Sequence, residues 1–149
     1  MRYIISTLLG SMLFVANAAQ ANECELTITG NDMMKFDKTE MSVPASCDDV
    51  TVTLIHSGKL GKKVMGHNWV LSEAGNMQSV VQQGMSAGME SQYVPDSDTV
   101  IAATDVIGGG EETSITFSTE GMSANNDYKF YCTFPGHSAI MQGSFAIKG

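Results

Sequence analysis

The stretch Tyr128-Lys129-Phe130-Tyr131-Cys132-Thr133-Phe134-Pro135-Gly136-His137-Ser138-Ala139-Ile140-Met141 begins as a strand and ends as a loop. Tyr128, Phe130 and Cys132 are two residues apart and share one strand face, so the thiol leaves the buried face at the strand's end. Pro135 then fixes its own φ and biases Phe134 toward extended backbone, and Gly136 lets the chain turn tightly before His137. A thiolate, an imidazole and a thioether (Cys132, His137, Met141) therefore occupy one short, stiff loop.

Cu(I) favours soft sulfur donors and Cu(II) favours nitrogen. A metal cycling between the two states is suited by one Cys and two His in a trigonal plane with a weak axial Met. The loop supplies three of those four ligands. The segment Gly66-His67-Asn68-Trp69, between two strand-like stretches, offers the second histidine.

Together, Met65-Gly66-His67-Asn68-Trp69-Val70-Leu71 and the Cys132–Met141 run resemble the azurin family of blue-copper cupredoxins. The resemblance extends over essentially the whole chain after residue 21. It implies an all-β, eight-stranded Greek-key β-sandwich with one external helix, and a periplasmic monomer that shuttles single electrons by Cu(II)/Cu(I) cycling. Cys132, His67 and His137 would form the equatorial plane around one copper ion, Met141 would be the axial ligand, and the Gly66 carbonyl would sit on the opposite axial side. The resemblance also implies backbone N–H donors from Asn68 and Phe134 to the sulfur, with the Asn68 side chain bracing the loop. Redox partners would dock on an apolar patch of Met34, Leu60, Met65, Met85, Phe134, Pro135 and Gly136, the kind of surface that suits brief encounters. His56 continues a strand and is expected to be a packed core histidine; family members commonly have His-Pro-Gly at this point, where this chain has Ser57.

The N-terminus has an export pattern: Met1-Arg2-Tyr3, an apolar stretch from Ile4 to Val15, and the A-x-A sequence Ala19-Gln20-Ala21. Residues 1–21 are expected to be a cleaved secretory signal peptide and residues 22–149 a single copper-binding domain. The apolar core of that signal is short for a membrane span, and no later segment is long enough for one. Arg2 is the only charged residue in the signal, so the net charge moves from −8 for the whole chain to −9 for residues 22–149. The surface reads as acidic without a basic cluster, which argues against nucleic acid or anionic membrane as partner.

Three cysteines in an exported chain leave one unpaired, a liability that a metal would remove. Three pairings are open, and assigning Cys132 to copper leaves Cys24 and Cys47 as the disulfide. Alternating apolar and polar residues at Glu25–Thr29, Val50–Leu54, Thr113–Phe117 and Ser144–Ile147 mark half-buried strands, with turn-forming clusters at Gly30-Asn31-Asp32, Gly108-Gly109-Gly110 and Ala124–Asp127. Ser72–Ala87 carries Met77, Val80, Val81 and Met85 at helical spacing, which predicts a helix with Ser72 as N-cap and Gly88 as its stop. Its methionines read as packing residues and Trp69 as a core aromatic. A periplasmic copper chaperone or store is the alternative function. An enzyme would need a further open metal site, and His56 is the only histidine left to build one.

Overall fold

Alternation in Asp49–His56 turns Val50, Val52, Leu54 and His56 inward and Thr51 and Thr53 outward, and the strand forms as that pattern requires. The computed structural model describes residues 22–149, so the expected export signal lies outside the described residues. In chain order the strands are β1 (Glu25–Asn31), β2 (Lys35–Phe36), β3 (Glu40–Pro44), β4 (Asp49–His56), β5 (Val70–Glu73), β6 (Ala102–Ala103), β7 (Glu112–Ser118), β8 (Tyr128–Tyr131) and β9 (Gln142–Lys148). One sheet runs β2-β1-β4-β7 and the other β3-β9-β8-β5-β6. The pairs β1–β4 and β3–β9 are parallel. Parallel neighbours cannot be joined by a tight hairpin, so the chain crosses between the sheets and closes a sandwich. Two of the nine strands among the described residues, β2 and β6, have only two residues each.

Between the sheets Trp69 stacks on Phe117 and Phe130, with ring centroids 6.0 and 6.2 Å away, and meets Phe145 edge-on at 6.2 Å. Trp69 is thus the core aromatic its surroundings predicted. Tyr128, Phe130 and Cys132 all face this core, and the intervening Tyr131 faces the other way. Cys24 and Cys47 are joined, tying the chain before β1 to the chain before β4. Closing a loop of this size stabilises by about 3 kcal/mol through the unfolded state.

Outside the second sheet lies the one long helix among the described residues, α2 (Met77–Ala87), preceded in the chain by a single turn, α1 (Lys62–Met65). Gly88 ends α2 at a left-handed φ of 76°, as expected of a glycine stop. The expected start is wrong. Ser72 is a buried residue of β5, paired with Lys129 of β8, and α2 begins only at Met77 after a 3₁₀ turn over Ala74–Asn76. Sheet pairing takes the Ser72 backbone, and its hydroxyl, which donates to the Glu73 carbonyl (2.9 Å), accepts the buried Tyr131 hydroxyl at 2.7 Å. Met77 packs with Val80 and Val81 over Tyr131, and Met89 packs on the main core, while Met85 remains exposed.

Candidate metal centre

Loop closure begins with the backbone. The Cys132 N–H donates to the Met141 carbonyl (3.0 Å) and the Met141 N–H to the His137 carbonyl (2.8 Å), so the two ends of the loop meet. Between them Gly136 takes φ 83°, a left-handed turn that a side chain would strain, and the His137 N–H donates to the Phe134 carbonyl at 3.0 Å. On the facing segment His67 exchanges two backbone hydrogen bonds with Ile107 (3.0 and 2.8 Å), which fixes its depth in the molecule.

These constraints bring together side chains 70 positions apart. His67 Nδ1 and His137 Nδ1 are separated by 3.2 Å, and the Cys132 sulfur is 3.7 Å from His137 Nδ1 and 4.0 Å from the Gly66 carbonyl oxygen. The His67, Cys132 and His137 donor atoms all lie within 4.8 Å of one another, the only such group of three among the described residues. Met141 is buried with them, and its methyl group shares the space over Gly30 with the His67 ring.

Proton positions follow from the hydrogen bonds. His67 Nε2 donates to the Asn31 carbonyl (2.8 Å), which leaves the Nδ1 lone pair directed into the site. Burial holds the His67 pKa below the usual imidazole range, and burial, reinforced by His67 and His56, pulls His137 down to about 4. Both rings are therefore neutral at pH 7. Burial pushes the Cys132 thiol up to about 12, although N–H groups of Asn68 and Phe134 point at the sulfur. A thiolate in this position needs a cation beside it.

The residues fit such a cation. An ion about 2.0–2.1 Å from each imidazole nitrogen and about 2.3 Å from a thiolate, as in zinc sites, sets trigonal donors roughly 3.5–3.8 Å apart. The 3.2 and 3.7 Å separations are on that scale. One thiolate, two imidazoles and a neighbouring thioether are the donor set of a blue-copper site.

A copper-binding family model, described as copper binding proteins of the plastocyanin/azurin family, matches residues 22–148. The chain belongs to that family. It is 52% identical over 122 residues to azurin-1 of Alcaligenes xylosoxydans xylosoxydans, covering 81% of this chain and 95% of the relative. It is also 50% identical over 127 residues to the azurin of Pseudomonas denitrificans, covering 85% and 99%. A solved azurin (Az-iso2) from the obligate methylotroph Methylomonas sp. strain J superimposes with a TM-score of 0.81 at 39% identity, over 85% of this chain and 98% of that one.

The second layer joins Asn68, whose bracing role the resemblance implied, to residues that the sequence left unmarked. Asn68, fully buried, accepts the Thr133 N–H (2.8 Å) and donates to the Thr133 hydroxyl (2.7 Å) and the Gln92 carbonyl (2.9 Å). The bracing role expected of its side chain is present, and Gln92 extends it, since its side-chain oxygen also accepts the Val106 N–H at 2.8 Å. Gln92 and Tyr93 are both left-handed (φ 58° and 54°) without being Gly or Asn, so no local signal marked that turn. His56 is a core histidine as expected: the Gly58 N–H donates to Nδ1 (3.0 Å), Nε2 donates to the Met65 carbonyl (2.8 Å), and the ring stacks on His67 at 4.3 Å.

Proposed function

We propose that this chain is an exported, periplasmic blue-copper electron carrier, a single domain over residues 22–149. His67 Nδ1, His137 Nδ1 and the Cys132 sulfur would hold one copper ion, with the Met141 thioether and the Gly66 carbonyl as weaker donors. The observation that carries this reading is the convergence of His67, Cys132 and His137 in one buried cluster. Bound there, copper supplies one-electron chemistry between Cu(II) and Cu(I).

The surrounding residues make that exchange easy by not moving. Asn31 holds the His67 ring, the Cys132–Met141 backbone bond closes the loop, and Asn68 ties it to the Gln92 turn. Donors fixed in advance need little rearrangement when the charge at the site changes. N–H groups of Asn68 and Phe134 take up part of the thiolate charge. Cys132, His67 and Met141 have no exposed surface and His137 retains only 3%, so water is excluded and a substrate has no open position. Both nitrogens of His56 are already engaged, so it cannot seed a second metal site. That closure supports a carrier over an enzyme.

His137 is the donor nearest the surface, under exposed Pro135 and Gly136. Of the residues expected to form the docking patch, Leu60 and Met85 are 42% and 48% exposed, and Met34 and Met65 are half-buried. Phe134 backs the patch from beneath, wedged between Tyr93 and the His137 ring at 5.4 and 4.7 Å. A visible spectrum with a redox titration tests the proposal. The copper-loaded protein should be intensely coloured, bleach reversibly on taking up one electron, and lose both properties in Cys132→Ser. A colourless form that readily releases Cu(I) would instead identify a store.

A further inference from the structure

The acidic balance of the chain conceals a local exception. Residues 22–149 contain seven lysines and no arginine, and three of the seven, Lys59, Lys62 and Lys63, fall within five residues. All three are exposed, and none makes an ion pair among the described residues. The reading of a surface without a basic cluster is wrong at this one place.

The neighbouring carboxylates are committed elsewhere. Asp32 accepts the backbone N–H groups of Lys59 (2.7 Å) and Leu60 (3.3 Å), and Glu111 accepts that of Gly108 at 2.7 Å. Both hold the loop in shape without meeting the ammonium groups. Residues 57–66 themselves carry three positive charges and no negative one.

Position gives the cluster its meaning. The same loop carries exposed Leu60 and Val64 and runs through α1 into Gly66 and His67. Gly66 fits because it has no side chain: a Cβ there would lie 2.5 Å from the Lys62 carbonyl and 2.8 Å from the Phe134 ring. The lysines thus rim the apolar face beside the metal centre, and the remaining charge on the molecule is strongly negative.

We propose that Lys59, Lys62 and Lys63 form a steering arc for an acidic redox protein, whose carboxylate rim meets the arc as its own apolar port meets Leu60, Val64 and Pro135. This deepens the electron-carrier reading and rests on it. Two molecules that both carry net negative charge repel at long range. When the screening length is shorter than the protein, the charges nearest the contact decide the encounter. An acidic partner is then drawn to this rim while the net negative charge of the molecule opposes its approach elsewhere, which orients it before contact.

The test measures electron exchange between the copper-loaded protein and two c-type cytochromes, one strongly acidic and one basic, from 0.1 M salt (screening length about 10 Å) to 1 M (about 3 Å). For wild type with the acidic cytochrome, the rate should fall at least threefold as salt rises. In Lys59→Gln/Lys62→Gln/Lys63→Gln the rate at 0.1 M should fall at least threefold, and the salt dependence should flatten or reverse, with the visible spectrum unchanged. A wild-type rate that rises with salt, as net charge alone requires, would overturn the proposal. So would a triple variant that matches wild type.

Amide NMR of the copper-free protein provides a readout independent of redox chemistry. The acidic cytochrome should shift residues 59–65, and the triple variant should abolish those shifts. Shifts produced by phosphatidylglycerol vesicles and not by the cytochrome would overturn a protein partner. If no electrons pass to either cytochrome, the carrier reading fails, and the NMR titration still decides the arc.

Discussion

Replacing Asn68 by alanine should separate the metal site from its support. The side chain is fully buried and makes three hydrogen bonds, two with Thr133 and one with the Gln92 carbonyl. Truncation leaves the Thr133 N–H, itself almost fully buried, without a partner, at a cost of about 1–3 kcal/mol. The Thr133 hydroxyl and the Gln92 carbonyl each lose a neutral hydrogen bond, about 1 kcal/mol apiece. The expected destabilisation is therefore about 3–5 kcal/mol, a large fraction of the 5–15 kcal/mol typical of a domain.

Urea unfolding of the copper-free protein measures this without interference from metal binding, and amide exchange at Thr133 localises it. Thr133→Val removes only the hydroxyl interaction and should cost about 1 kcal/mol in wild type but almost nothing in Asn68→Ala, a coupling of about 1 kcal/mol. A loss below about 1 kcal/mol in Asn68→Ala, with the Thr133 amide still protected, would refute the reasoning. It would mean that the Cys132 loop is held by its own backbone bonds and Asn68 is incidental.

Gly30→Ala should weaken metal binding at least tenfold in calorimetric titration while the protein stays folded, because the new Cβ would lie 2.8 Å from the His67 ring and 3.4 Å from the Met141 methyl group. Met141→Leu should keep copper and raise the reduction potential in voltammetry, since losing a weak axial donor penalises Cu(II) more than Cu(I). Loss of the copper or a lowered potential would remove Met141 from the axial position.

What the sequence made legible depended on how local the signal was. Strand alternation such as Val50-Thr51-Val52-Thr53-Leu54 is a two-residue rule and became β4 with the expected faces. Pro135-Gly136 is a turn written in backbone chemistry, and Gly136 is left-handed. The start of α2 was misread because Ser72 satisfies the N-cap rule locally, whereas its sheet partner Lys129 is 57 positions away. Gln92 carries no local turn signal, being left-handed without being Gly or Asn, and its turn lies against α2, where a Cβ on Gly84 would meet the Tyr93 carbonyl. Gly30, expected in a turn-forming cluster, lies instead in β1 opposite Phe36, where a glycine marks a close approach. The lysine arc was visible as composition, but the loop's position beside His67 and Phe134 gives it significance.

The site's proton inventory yields a prediction that depends on no partner. At pH 7 both imidazoles are already neutral, His137 down to about 4 and His67 below its usual value, whereas the Cys132 thiol, at about 12, keeps its proton. A cation entering the cluster must find the sulfur as thiolate, so binding has to expel that one proton and no other. Zn(II) is a suitable probe because it accepts nitrogen and thiolate donors without redox chemistry. Calorimetric titration in buffers of different ionisation enthalpy should report close to one proton released per ion, constant from about pH 7 to pH 9. The plateau arises because His137, down to about 4, and His67, below its usual value, are already neutral in that window, and the thiol, at about 12, would lose its proton only well above it. Release of about two protons would mean that an imidazole enters the reaction charged. Release of none would mean that the sulfur is not a ligand, and the convergence of Cys132 with His67 and His137 would then be a matter of packing alone.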